Sequence, residues 1–163
     1  MDFSLDHDFP APPAAVIAVW CDSAFHTKLE LPDLSLPEVV SETRSGATYK
    51  LELRYEFIGH LDPIAQKLLA GRKLTWLQTL ELDTVAGAGT LTFVAEADPG
   101  RLFGSGTVAL TTREPDGTHR HIDGELHVKV PLVGGRAERS IVPGIVSRLD
   151  VEAEAVNAAL RSP

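Results

Sequence analysis

Residues 141–160 of this chain, IVPGIVSRLDVEAEAVNAAL, carry an apolar stripe with the period of an α-helix. The stripe runs through Ile141, Ile145, Leu149, Ala153, Val156 and Leu160. Arg148 and Glu152 lie largely off it. Pro143 either starts this helix or kinks a longer one that begins near Arg136. The sequence therefore predicts one long amphipathic helix that must bury one face against a partner.

Upstream of this helix, residues 38–130 are predicted to form almost only strands and turns. Alternating apolar and polar residues predict strands at 38–44, 48–58, 73–83, 90–97, 106–114 and 118–130. Glycine and aspartate in the intervening turns supply the backbone angles that tight turns require. Residues 60–71 interrupt the run with apolar residues at helical spacing, which predicts a short helix or lid.

The chain begins with a further strand and two short helices. Phe3, Leu5, His7 and Phe9 alternate with polar residues, and the prolines that follow end the strand. Short helices are predicted at residues 14–20 and 24–29, the second capped by Asp22 or Ser23. The class is therefore α+β, with a curved, mainly antiparallel sheet of about seven strands packed on the last helix. A length of 163 residues fits a single domain spanning 1–163.

The inward face of this sheet is aliphatic with a few polar groups, a composition typical of a small-molecule pocket. The candidate lining residues are His7, Tyr49, Leu53, Tyr55, Trp76, Gln78, Phe93, Leu110, Ile145, Leu149 and Ala153. The alternative is a dry core in which the polar atoms pair with one another. The pattern of side chains does not distinguish a ligand pocket from a dry core.

Composition excludes several classes of partner. The formal net charge is −8 and no basic stripe offsets it, so nucleic-acid binding is not expected. No stretch approaches the roughly 20 apolar residues of a membrane span, so stable membrane insertion is not expected. The single cysteine, Cys21, lies beside an apolar run and reads as a buried, inert thiol. A cytoplasmic location follows as an expectation.

Metal chemistry has one candidate cluster. His119, His121, Asp123 and His127 share one face of the predicted last strand, and histidines two apart on a strand can both bind a metal. Glu125 shares that face, however, and the opposite face is apolar. A solvated outer face explains the pattern, so neither a metal nor a cofactor is predicted.

Catalytic chemistry has little support. Cys21 has no identifiable histidine partner, and no serine stands in a Gly-x-Ser-x-Gly motif. His7, Tyr49 and Tyr55 could act as acid–base groups if at least two of them converge. No catalytic residue is assigned.

The order of elements resembles the helix-grip fold of the START and polyketide-cyclase (SRPBCC) superfamily. Residues 3–12 (FSLDHDFPAP) and 128–135 (VKVPLVGG) are similar to a bacterial subfamily known only as a domain of unknown function. The resemblance covers essentially the whole chain and implies a β-α-α-β6-α order. It also implies a hydrophobic ligand held between the sheet and the last helix, although some superfamily members are cyclases or hydrolases.

These inferences favour the binding of a small hydrophobic or lipid-like ligand between the inner sheet face and the stripe. The segments 60–71 and 98–105 are expected to control access to the cavity. Two alternatives stay open, namely a cyclase or isomerase acting on a hydrophobic substrate and a ligand-free, partner-binding protein. The sequence assigns neither the ligand nor the oligomeric state.

Overall fold

The computed structural model describes residues 1–162, in which seven strands and four helices follow the predicted order. The elements are β1 (Asp2–Phe9), α1 (Pro13–Trp20), α2 (Ser23–His26), β2 (Glu38–Ser45), β3 (Thr48–Glu56), α3 (Pro63–Leu69), β4 (Thr75–Asp83), β5 (Ala88–Ala95), β6 (Leu102–Arg113), β7 (Gly117–Val128) and α4 (Gly134–Arg161).

All seven strands form one curved antiparallel sheet in the order β1-β7-β6-β5-β4-β3-β2. The apolar residues meet across the strands as alternation predicts: Leu5 pairs with Ile122, and Leu51 pairs with Leu80. These four side chains are buried. The helices cover this face, and the predicted helix-grip architecture is confirmed.

The last helix is the longer of the two predicted alternatives. It begins at Gly134, and Pro143 lies inside it. Proline has no N–H, so the carbonyl of Arg139 lacks its usual helical donor at this turn. Ala153 and Val156, in the C-terminal half, are buried against the sheet and α1. Within residues 1–162 no helix is long and apolar enough to cross a lipid bilayer.

Local capping fixes the short helices. Asp22 caps α2 by accepting a hydrogen bond from the Ala24 amide at 2.9 Å. This helix ends at His26, earlier than predicted, and the His26 ring bonds the Trp20 carbonyl at 2.8 Å. Asp62 caps α3 in the same way through the Ala65 amide at 2.8 Å. The segment 60–71, predicted as a short helix or lid, therefore contains a helix.

The other strands begin and end within two residues of their predicted bounds, and β6 differs most from its prediction. β6 begins at Leu102, not at residue 106, so much of the predicted access loop at 98–105 belongs to the sheet. Gly104 and Gly106 resemble turn residues but lie in the strand. A Cβ atom at Gly104 would collide with the ring of Phe93, so a larger residue there would force that ring to shift.

The Cys21 thiol is buried in the core. Desolvation raises its pKa to about 12, and the Arg44 charge opposes this only in part. Because the thiolate is the reactive species, Cys21 has the properties of a structural residue rather than a nucleophile.

Candidate ligand-binding cavity

A cavity of about 600 Å³ lies between the sheet, α3 and the N-terminal half of α4. The sheet contributes apolar side chains from β4 to β7, including Phe93 and Ile122. The helix α3 contributes Ile64 and Leu68. None of the α3 residues is buried, so this helix forms an outer wall rather than part of the core.

The cavity occupies one end of the predicted inner face. Five candidate residues border it: Trp76, Gln78, Phe93, Ile145 and Leu149. Six do not border it: His7, Tyr49, Leu53, Tyr55, Leu110 and Ala153. Around these six residues, at the opposite end of the face, α1 and the C-terminal half of α4 pack directly on the sheet and fill the space. Tyr55 lies directly opposite Trp76 on the neighbouring strand, with the two rings stacked at 5.8 Å between centroids.

The hydroxyl groups of Tyr49 and Tyr55 both have a raised pKa. The Tyr49 hydroxyl donates to Glu42 at 2.9 Å, and burial together with this bond raises its pKa. Burial likewise raises the pKa of Tyr55. Both phenols therefore hold their protons firmly, a poor property for general bases at neutral pH.

His7 faces inward, as alternation predicts, with its side chain only 10 % exposed. Its Nε2 lies 2.9 Å from Asp150, and its Nδ1 lies 3.2 Å from the Arg120 guanidinium. Arginine can only donate, so Nδ1 accepts and Nε2–H donates to the carboxylate. Both ring nitrogens are thus engaged within the protein, and His7 joins neither tyrosine.

Arg120 and Glu152 form a buried ion pair that the sequence analysis missed. Their side chains are 1 % and 6 % exposed, and Nη1 donates to Oε1 at 2.8 Å. The guanidinium also lies 4.9 Å from the Trp20 ring and 5.5 Å from the Phe9 ring, within cation–π range. The prediction that Glu152 lies off the buried face of its helix is wrong, because this pairing draws it inward.

A signal for this pair was present in the sequence. Arg120 alternates with His119 and His121, so it shares the inward face of Ile122. Glu152 directly precedes Ala153 of the apolar stripe. An inward arginine in an otherwise apolar strand requires a carboxylate partner. Glu152 also borders the cavity, where it is an acidic group at the base of an apolar chamber.

Arg148 is one of three arginines that line the cavity, together with Arg101 and Arg136. Its Nε donates to the Pro32 carbonyl at 3.2 Å, and its guanidinium lies 5.9 Å from the Phe57 ring. Removal from water lowers its pKa below the ordinary value, and the charge of Asp33 offsets this only in part. The terminal nitrogens pack beside Gly144, one helical turn earlier. The guanidinium has donors to spare for an anion.

A family model described as "Protein of unknown function (DUF2505)" matches residues 4–160 of the chain. No curated protein matches the sequence significantly.

Several solved structures share the fold at low sequence identity. The protein TTHA0849 from Thermus thermophilus is 23 % identical, with 98 % of this chain and 99 % of that chain covered and a TM-score of 0.65. The Zhui aromatase/cyclase from Streptomyces sp. R1128 is 13 % identical, with 98 % and 93 % covered and a TM-score of 0.68. Norcoclaurine synthase from Thalictrum flavum is 13 % identical, with 100 % and 87 % covered and a TM-score of 0.64. These likenesses confirm the fold.

Proposed function

This chain belongs to the DUF2505 family, and we propose that it binds a small, lipid-like ligand in the cavity between its sheet, α3 and α4. The observation that carries the proposal is the cavity itself, about 600 Å³ in volume. That size lies within the range of small-molecule sites, which combine an apolar lining with a few polar groups. Burial of an apolar chain contributes about 25 cal/mol per Å² before the cost of ordering the ligand.

Among the charged groups on the wall, Arg148 favours an acidic ligand end. Glu152 is already neutralised by Arg120, whereas the Arg148 guanidinium donates to a backbone carbonyl and, within residues 1–162, forms no ion pair beyond the influence of the Asp33 charge on its pKa. A carboxylate near Arg148 would receive charge-assisted hydrogen bonds in a partly desolvated site. The ligand class that fits both features is an amphipathic anion with an apolar tail.

Access to the cavity is proposed to depend on α3. This helix borders the cavity through its apolar side and is bounded by Asp62 at its start and Ala70 at its end. Ala70 has a positive φ of 50°, which stops the helix abruptly. With no buried residue of its own, α3 can move outward at small energetic cost.

The alternative of a cyclase or isomerase has less support. Two of the proteins with a similar fold are described as an aromatase/cyclase and a synthase. In this chain, however, none of His7, Tyr49 and Tyr55 borders the cavity, and His7 and Tyr49 bond separate carboxylates. The ligand-free alternative requires a filled interior, and the size of the cavity argues against it.

Binding can be tested with 12-bromododecanoate, because bromine quenches indole fluorescence only at contact. Trp76 borders the cavity, whereas Trp20 lies in the core and is 1 % exposed. We expect saturable quenching in the Trp20→Phe variant, which keeps Trp76. Quenching should be nearly lost in Trp76→Phe, which keeps Trp20.

Dodecanoate without bromine is the control for changes in fluorescence caused by conformation alone. Equal quenching of both tryptophans would indicate dispersed surface binding and would contradict the cavity as the site. No saturable quenching in either variant would also contradict the proposal.

The acidic end can be tested separately by replacing Arg148 with glutamine. Hydrogen bonds to charged groups contribute about 1.5–3 kcal/mol, so Arg148→Gln should weaken dodecanoate binding roughly 10- to 100-fold. Binding of uncharged dodecan-1-ol should change little. Arg139→Gln, at an exposed position of the same helix outside the cavity lining, is the matched control. Equal losses for the acid and the alcohol would show that Arg148 does not select an anion.

A further inference from the structure

Two histidines and an aspartate converge on the outer face of β1 and β7. The antiparallel register places Asp6 opposite His121 and Asp8 opposite His119. Oδ1 of Asp6 lies 2.7 Å from Nδ1 of His121 and 3.0 Å from Nε2 of His119. These three atoms all lie within 4.8 Å of one another, so one ion could contact all three.

The remaining nitrogen of each imidazole faces another carboxylate. Nδ1 of His119 lies 2.8 Å from Asp8, and Nε2 of His121 lies 2.9 Å from Asp123. Histidines that bind metals almost always donate their second ring N–H to a carboxylate, carbonyl or water, which fixes the ring and its tautomer. Both histidines have this arrangement. The nitrogen of each ring that faces Asp6 donates a hydrogen bond to that carboxylate, and loss of this proton on metal binding would make the nitrogen a ligand.

The donor set indicates the kind of ion. Two imidazoles and one carboxylate suit Zn²⁺, whereas Ca²⁺ and Mg²⁺ prefer oxygen ligands in larger number. In a tetrahedral site with bonds of about 2.0–2.1 Å, neighbouring ligand atoms lie about 3.3 Å apart. The distances from Oδ1 of Asp6 to the two histidine nitrogens, 2.7 and 3.0 Å, would therefore need to increase by only about 0.3–0.6 Å to admit the ion. Three carboxylates around two rings also attract a cation.

We propose that Asp6, His119 and His121 form a Zn²⁺ site on the outer sheet face, with Asp8 and Asp123 orienting the two imidazoles. Three protein ligands leave a fourth position for water. The ion would link β1 to β7, on the opposite side of the sheet from the strand positions that hold His7 and Arg120. This site is independent of the cavity, so its test does not depend on lipid binding.

The test is calorimetric titration of tag-free, chelator-treated protein with ZnCl₂. We expect one ion per chain and a rise in melting temperature, because the ion binds the folded state. His119→Ala and His121→Ala should each remove this binding. Asp123→Asn should retain the site but weaken it about 10- to 100-fold, as is usual for a residue that orients a ligand. All three side chains are substantially exposed, so these changes leave the core intact.

His127→Ala is the matched control, since His127 lies on the same strand but pairs with Glu125 at 3.2 Å. It should bind Zn²⁺ as the wild type does. Absence of binding to the wild type would overturn the proposal. Equal binding by the wild type and His121→Ala would overturn it as well, because the ion would then occupy other surface groups.

Discussion

Replacing Arg120 with methionine is expected to lower the free energy of unfolding by about 3–5 kcal/mol, as measured by urea denaturation. The substitution leaves the Glu152 carboxylate buried without its cation and removes the contacts of the guanidinium with two aromatic rings. For a domain of this size, the melting temperature should fall by about 2–4 °C for each kcal/mol.

The double variant Arg120→Met/Glu152→Met provides the discriminating comparison. Replacing a buried ion pair by apolar residues of similar volume is often neutral or stabilising, so the double variant should recover most of the lost stability. Lys50→Met is the matched control, because the Lys50–Glu81 pair is 3.7 Å apart and about half exposed. Its expected cost is about 0–1 kcal/mol. A cost for Arg120→Met no larger than that of Lys50→Met would contradict the assignment of a buried, energetically coupled pair.

Replacing Leu149 with glutamate is expected to abolish the binding of both dodecanoate and dodecan-1-ol. Leu149 borders the cavity on α4, one helical turn before Ala153 and three residues before Glu152. A carboxylate at this position requires hydration, so it would bring water into the apolar cavity. It would also lie near the carboxylate of Glu152. Affinity measured by competition with 12-bromododecanoate should fall by at least about 100-fold, equivalent to roughly 2.7 kcal/mol.

The loss of alcohol binding separates this effect from simple repulsion between two carboxylates. Ser147→Glu adds the same charge at an exposed position on the same helix and should leave binding unchanged. Circular dichroism establishes that each variant is folded. A folded Leu149→Glu variant with wild-type affinity would place the ligand elsewhere.

Most of the secondary structure could be predicted from the sequence because burial follows backbone period. Strand residues alternate between faces, so Tyr49, Leu51, Leu53 and Tyr55 are recognisable as one buried row, and all four are at most 2 % exposed. The long helix is recognisable from a stripe at three- and four-residue spacing. Among the strands β6 has the largest shift, because Gly104 lies within it beside Phe93 and does not form a turn.

The position of the cavity along the inner face could not be predicted. Alternation assigns a side chain to a face but does not say which helix covers it. Tyr49 and Trp76 have the same pattern in sequence, yet only Trp76 borders the cavity. The difference arises because α1 and the C-terminal half of α4 fill one end of the sheet, whereas α3 borders a cavity at the other end.

The order of elements, the face that each strand buries and the inward position of His7 follow from residue patterns along the chain. Which polar groups meet depends on tertiary contacts instead: Arg120 with Glu152, His7 with Asp150, and Asp6 with His119 and His121. The reason is physical. Periodicity is a local property of the backbone, whereas these contacts join residues 32 to 143 positions apart. Only strand pairing and helix docking bring such residues within hydrogen-bonding distance.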